Sequence, residues 1–241
     1  MATPNRWAVR EAAEATFYKV GTNTPVVTLK TLKMTEVTTN GETTYAMGGR
    51  GNAKLVGFSG NREARVTIQD AIFDNKALEM LTGVPISPAP RGKVVTETLP
   101  SGTGSFIISK AAALSVTYTV DGGAPATATS SVGGVVTAAG MTTGKSVVAT
   151  YTTAPSAAST ITVTSKDFAG TYKLVLDVVV RDLETGKDFY GQFIAAKVQV
   201  ENEFTFSFSP DGDPSVLDIP IEILKPANSD VMYELVLFDN V

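Results

Sequence analysis

Few residues in this chain are placed to do chemistry. The most suggestive group is Ala139-Gly140-Met141-Thr142-Thr143-Gly144-Lys145-Ser146, which fits the loose phosphate-loop pattern. Such a loop works only when a helix follows Lys-Ser, because the helix's first free amides hold the phosphates. Here Val147-Val148-Ala149-Thr150-Tyr151 follows and reads as strand, so the segment reads as a β-turn. Gly49-Arg50-Gly51-Asn52 lacks the third glycine of a dinucleotide fingerprint and reads as a bend. Asp211, Asp213 and Asp218 carry the hard oxygens that calcium takes. Pro210 and Pro214 interrupt that loop, however, and no spaced glutamate completes a ligand set, so it reads as a hairpin turn. Glu201 and Glu203 lie two apart on one strand, whereas glycoside hydrolysis draws its carboxylates from separate elements around a cleft. They read as a solvated face. Phe204, Phe206 and Phe208 have rings able to stack on bases or sugars, but alternate spacing is how a strand fills a core. Trp7 reads either as an anchor for a flexible arm or as a local packing residue. No catalytic, cofactor-binding or metal site is assigned.

Composition narrows the classes further. The chain has 241 residues, with neither Cys nor His, which removes disulfides, thiolate nucleophiles, zinc fingers and the His-dependent triad. A hydrophobic content of 43% and a mean hydropathy of +0.11 allow a full core. Charged residues are only 18%, below the usual quarter of a globular chain, so Thr, Ser, Ala and Gly must cover much of the surface or neighbours must hide it. A net charge of −4 gives no basic footprint for gripping nucleic acid. The start, Met1-Ala-Thr-Pro-Asn-Arg-Trp7, has no apolar h-region. The most apolar stretch, Leu174 to Val180, is too short to span a bilayer and is broken by Asp177. The expectation is a soluble protein made in the cytoplasm, with no membrane partner.

The elements that would position these residues are mostly strands. β-Branched and aromatic residues alternate over Val26 to Val37. Thr43 to Tyr45 leads through the bend at Gly48 to Asn52 into Ala53 to Phe58, and Ser59-Gly60-Asn61 reads as a turn before Glu63 to Gln69. One helix is expected, capped by Asp70 and closed by Gly83, with Ile72, Phe73, Leu78 and Leu81 on one face and Ala77 and Met80 beside it. From Ala111 to Ser165 only Asp121 and Lys145 are charged. Short alternating runs (Ser115 to Val120, Ser146 to Thr152, Thr160 to Thr164) favour a small β module over a flexible segment. Pro85, Pro88, Pro90 and Gly92 mark the way into it, which makes it an insertion at 94–167 between two halves of one domain, 1–93 and 168–241.

In the last third, Tyr172, Leu174, Leu176, Val178 and Val180 alternate with Lys173, Val175, Asp177, Val179 and Arg181, and Glu184-Thr185-Gly186-Lys187 turns the chain. Val198, Val200, Phe204, Phe206 and Phe208 then share one face and Lys197, Gln199, Glu201, Glu203, Thr205, Ser207 and Ser209 the other, with a bulge expected at Asn202. A strand from Ala196 to Ser209 would reach about 45 Å. Leu217, Ile219, Ile221 and Ile223 return, and Val231 to Phe238 closes the chain as a strand. Long two-faced strands leave edges that invite aggregation, and closing a sheet across identical copies removes them.

The run Gly170-Thr171-Tyr172 to Lys187-Asp188, Phe193-Ile194, Lys197-Val198, Phe204 to Ser209, Gly212-Asp213-Pro214 and Ile219 to Leu224 resembles the tail tube (major tail) proteins of bacteriophages. The strand and helix over Ala64 to Gly83 are similar too. The resemblance implies a mainly β, tail-tube-like β-sandwich or barrel with one short flanking helix, to which the β-rich insertion is added. It also implies homo-hexameric rings that stack into a tube. The partners are then other tail proteins (sheath, terminator, tape measure, baseplate), and genomic DNA passes without specific binding. The localisation is the virion, after synthesis in the host cytoplasm. On this reading Gln199, Glu201, Glu203, Thr205 and Ser207 line the lumen or simply face outside water. The alternatives are another virion role, in capsid decoration or baseplate, or a carbohydrate-binding, adhesin-like β module.

Overall fold

The structure is a computed structural model that describes residues 4–110, 112–131, 133–205 and 216–238. The chain opens with strand β1 (Trp7–Lys19), then β2 (Pro25–Leu29), β3 (Leu32–Gly48) and β4 (Ala53–Asp70), followed by helix α1 (Asn75–Thr82). Eight short strands form a separate unit: β5 (Ser87–Pro88), β6 (Val94–Pro100), β7 (Ser105–Ile107), β8 (Ala112–Val120), β9 (Ala126–Ala128), β10 (Val135–Thr137), β11 (Ser146–Thr153) and β12 (Ser159–Thr160). The chain then returns with β13 (Thr171–Asp182), β14 (Asp188–Val200), β15 (Leu217–Ile223) and β16 (Glu234–Leu237). The protein is mainly β, and α1 is the one α-helix among the described residues.

Two compact units result, one of residues 1–85 with 161–241 and the other of residues 86–160. The first is built on a single antiparallel sheet of order β2-β1-β13-β14-β15-β4-β3, with β16 pairing to β14. The expected run Val26 to Val37 is interrupted at Lys30–Thr31, where it changes partner: β2 pairs with β1, and β3 pairs with β4 at the other end of the sheet. Consecutive segments thus occupy opposite edges, and β1 and β3 approach one another. The sheet curls back on itself as a barrel does.

The curled face is filled by every second residue. Leu217, Ile219, Ile221 and Ile223 of β15 are buried, as are Ala64, Val66 and Ile68 beside them on β4. Leu174, Leu176, Val180, Val198, Val200 and Phe17 continue the layer. Each fully buried aliphatic side chain contributes about 1.5–3 kcal/mol. Helix α1 adds Ala77, Leu78, Met80 and Leu81. Its N-cap is Asp74, whose side chain accepts from the amides of Lys76 and Ala77, and not Asp70 as expected. Asp70 instead ends β4, buried, accepting from the Thr31 hydroxyl and the Ile72 amide. With the cap displaced, Ile72 and Phe73 precede the helix and stay exposed.

The second unit has its own core of Phe106, Ile108, Val116, Val136, Val147, Ala149 and Tyr151. A four-stranded sheet, β6-β11-β8-β9, carries it. The opposite face explains the threonine-rich composition: Thr96, Thr150, Thr117 and Thr127 lie side by side across the four strands, and the hydroxyls of Thr96 and Thr150 bond at 2.9 Å. Inside, the Tyr151 hydroxyl donates to Glu97 at 2.7 Å, and the amide and hydroxyl of Ser109 donate to the same carboxylate. Desolvation opposes ionisation of Glu97, yet the bonds from Ser109 and Tyr151 hold its carboxyl below the usual range. β5 and β12 pair at the neck of this unit. The run expected from Thr160 to Thr164 is strand only at its first residue, and the closing strand is four residues rather than the expected eight.

Gly83 closes α1 in the left-handed conformation, with φ of 70°, and a Cβ there would lie 2.2 Å from the Phe168 carbonyl oxygen. Gly83→Ala is therefore expected to lose about 1–3 kcal/mol from backbone strain alone, and more from the clash. Chemical denaturation would show it as a lowered midpoint with unchanged slope.

Candidate functional site: a hairpin arm and a polar sheet face

Two surfaces of the first unit are built differently from ordinary exterior. The first is the outer half of the β3–β4 hairpin. The bend foreseen at Gly48 to Asn52 joins the two strands, with Gly49, Gly51 and Asn52 at positive φ. The turn expected at Ser59-Gly60-Asn61 is not a turn. β4 runs straight through it, and the ladder absorbs an extra residue, since Asn40 pairs with Glu63 but Glu42 pairs with Gly60. Inward of this bulge β4 packs on the core, with Ala64, Val66 and Ile68 buried, while β3 has no buried residue. Outward of it every residue from 53 to 63 is exposed.

That outer ribbon, about 25 Å long at the usual rise, is not polar. Leu55 is 64% exposed, Phe58 62%, Val56 54% and Met47 52%. Its one internal cluster is Tyr45, whose ring lies over Gly57, with the Lys54 ammonium 4.0 Å from the ring centre. A two-stranded ribbon without a buried face is marginal on its own. It also has the composition of an adhesive edge.

The second surface is the polar face of the curled sheet. The row Thr171, Gln199, Glu222, Arg65 and Thr38 crosses five strands, each residue opposite the next. Further along, Glu14, Asp177 and Gln192 are opposed on β1, β13 and β14, and Gln192 donates to Asp177 at 2.9 Å. Of the residues singled out from the sequence, Gln199 is half-buried in this row. Glu201 follows the strand, accepting from Arg65 while its amide donates to the Pro220 carbonyl at 2.9 Å. Glu203 and Thr205 are exposed and lie in no strand, and Ser207 is outside the described residues. The strand expected to run from Ala196 to Ser209 stops at Val200. The cause is Pro220 opposite Glu201: proline has no amide hydrogen to return to the ladder. Asn202, expected as a bulge, falls beyond the strand end, and Phe206 and Phe208 lie outside the described residues. The residues that sequence reasoning missed on this face are Glu14, Gln192, Glu222 and Arg65. Pairing register alone reveals them.

The rest of the suggestive chemistry is structural. Gly140 and Gly144 make left-handed turns, and β11 rather than a helix follows Lys145. Lys145 pairs with Asp121 at 2.8 Å. Among the described residues no cluster of His, Cys, Asp and Glu could hold a metal ion. Asp218 sits in β15, and Asp211 and Asp213 lie outside the described residues. Among the described residues no helix is long and apolar enough to cross a membrane.

Comparison with known families decides the kinship. The family model of the YomU/Tube protein family matches residues 7–236, nearly the whole chain. The chain belongs to that family. A search of curated proteins finds no match. The family's name is that of a tube protein, in keeping with the resemblance to phage tail tubes. It speaks for a structural phage protein associated with the virion rather than an enzyme.

The match begins at Trp7, the first residue of β1. Trp7 opposes Asp182, and the strand is fastened by a cluster in which Arg181 and Arg10 both bond Asp188, at 2.7 Å each. The Arg181 guanidinium, then Arg10, lowers the Asp188 carboxyl from 3.8 to about 2. A carboxyl whose folded value lies below its unfolded one adds stability that is full above the unfolded value and is lost as pH falls through the folded one. Asp188→Asn is thus expected to be less stable than the native chain near neutrality. The difference should shrink as pH drops from 3.8 through about 2, followed by urea denaturation across that window.

Proposed function

We propose that this protein is the repeating subunit of a phage tail tube. Copies join into rings, six to a ring as in the tail tube proteins it resembles. The rings stack, other tail proteins (sheath, terminator, tape measure and baseplate) meet the tube, and DNA passes through its bore. The observation that carries the reading is the hairpin arm: a ribbon of exposed Leu55, Val56, Phe58 and Met47 attached to a well-packed domain. Such a surface is stable in solution only if another molecule covers it. In a tube of identical subunits, that molecule is another copy.

The polar face supports the second half of the reading. Glu14, Asp177, Glu222 and Glu201 give it an acidic cast, relieved by Arg65, Lys173 and Lys197, while the same strands commit their other face to the core. A mildly acidic wall repels phosphates, so DNA slides past without the contacts that a basic bore would make.

Val56→Asp combined with Phe58→Asp tests the arm. Both side chains are exposed, so the subunit should fold with stability changed by no more than about 0.5 kcal/mol, yet negative-stain microscopy should show no tubes. Tubes of normal length would overturn the reading. For the bore, Glu201→Gln with Glu222→Lys on the polar face should leave tubes intact and slow DNA ejection. Ejection at the native rate would remove the polar face from the lumen.

A further inference from the structure

We propose that Asn40 and Gly41, at the foot of the β3–β4 hairpin, form a self-modifying site at which the chain converts Asn40 slowly to aspartate and isoaspartate. The site acts within one subunit and does not depend on assembly.

Asn40 is the one asparagine in the chain that glycine follows. The conversion needs the next residue's amide nitrogen to reach the carboxamide carbon. A following side chain obstructs that approach, whereas glycine leaves it open and lets the backbone turn into it. Within a regular ladder, extended backbone and paired amides hold the two groups apart. Here the pairing breaks between the two residues: Asn40 still opposes Glu63, but the register passes over Gly41 and resumes with Glu42 opposite Gly60. Both residues are exposed, and a Cβ on Gly41 would meet only the Gly60 carbonyl oxygen at 3.9 Å, so the carboxamide has room to swing in. The other asparagines of the hairpin are set differently. Asn52 precedes Ala53 in the bend, and Asn61 precedes Arg62 with its side-chain amide donating to Glu42 at 2.8 Å.

The Gly41 nitrogen, as its anion, attacks Asn40 Cγ. A bond forms between them and closes a cyclic imide, and the side-chain nitrogen leaves as ammonia. Water then opens the imide at either carbonyl. Breaking the new bond gives aspartate; breaking the original peptide bond gives isoaspartate, with the chain running through the side chain. No oxidant or other reactant is required. Either product places a carboxylate opposite Glu63, and like charges directly opposed weaken a sheet. Isoaspartate also lengthens the backbone, which puts the neighbouring Thr39–Ala64 pair out of register. The ladder is thus loosened at the last point where the hairpin still rests on the core, since Ala64 is buried and residues 53–63 are exposed.

The full chain, held at mildly alkaline pH and followed by peptide mapping with enzymatic methylation of isoaspartate, should lose the Asn40 amide before that of any other asparagine, and faster as pH rises. Gly41→Ala, which the open space accommodates, should slow the loss several-fold. Asn40→Asp, made directly, should lower the urea midpoint near neutrality, and Glu63→Gln in the same chain should restore most of the difference. Loss of the Asn61 or Asn228 amide ahead of Asn40, or an unchanged rate in Gly41→Ala, overturns the site. An Asn40→Asp midpoint equal to the native one overturns its effect on the ladder.

Discussion

A strand is stable while one of its faces is buried, and β3 and β4 outlast their core. The inner half of β4 is tied to it by the column Ala64, Val66 and Ile68 against Ile223, Ile221 and Ile219, and that of β3 only through its ladder with β4. Past Glu63 the same ladder continues with nothing beneath it, so the free energy of ordering the outer ribbon is not offset within the subunit. The bulge at Gly41 and Asn61 falls where that support ends. The other features of the first unit follow from the same limit. A single curled sheet with one helix has only enough apolar surface for one core, and what remains is a polar face and an exposed arm.

The parts of this arrangement that could be read from the sequence are those governed by period and by turn chemistry. Leu217, Ile219, Ile221 and Ile223 announce a buried strand because each alternate residue is apolar. Glu184-Thr185-Gly186-Lys187 announces a reversal because Gly186 supplies the positive φ that the turn needs. β1 was hidden. Ala8, Glu11, Ala12, Ala13, Glu14 and Ala15 favour helix locally, and two register shifts against β13 destroy the period-2 signal. Trp7, open between an arm anchor and local packing, begins β1 at the first residue of the family match. The helix cap was misjudged because Asp70 and Asp74 are both good caps by type. Asp70 had a competing partner in Thr31, thirty-nine residues away, which no local pattern reveals.

The polar face shows the same boundary between local and long-range information. Gln199 and Glu201 were legible as outward positions of one strand. Their neighbours Glu222 and Arg65 come from β15 and β4 and meet them only through pairing. Pro220 is the instructive case. It was visible in the sequence, but its effect falls on β14, a different strand, where the ladder loses a donor opposite Glu201 and the alternation that continues in the residue types no longer continues in the backbone.

The inserted unit reaches a comparable result by different means. Its outward face is a threonine array in which Thr96 and Thr150 bond across strands, and Lys145 pairs with Asp121 at the turn before β11. β-Branched residues favour the strand without a charge to hold it in solution. The half-buried Glu97 carboxylate accepts from Ser109 and Tyr151, so it joins β6 to β11 and to the segment after β7. The module has its own core, and β5 and β12 pair where the chain enters and leaves it. The first unit instead spends one face of its sheet on packing and leaves the other polar.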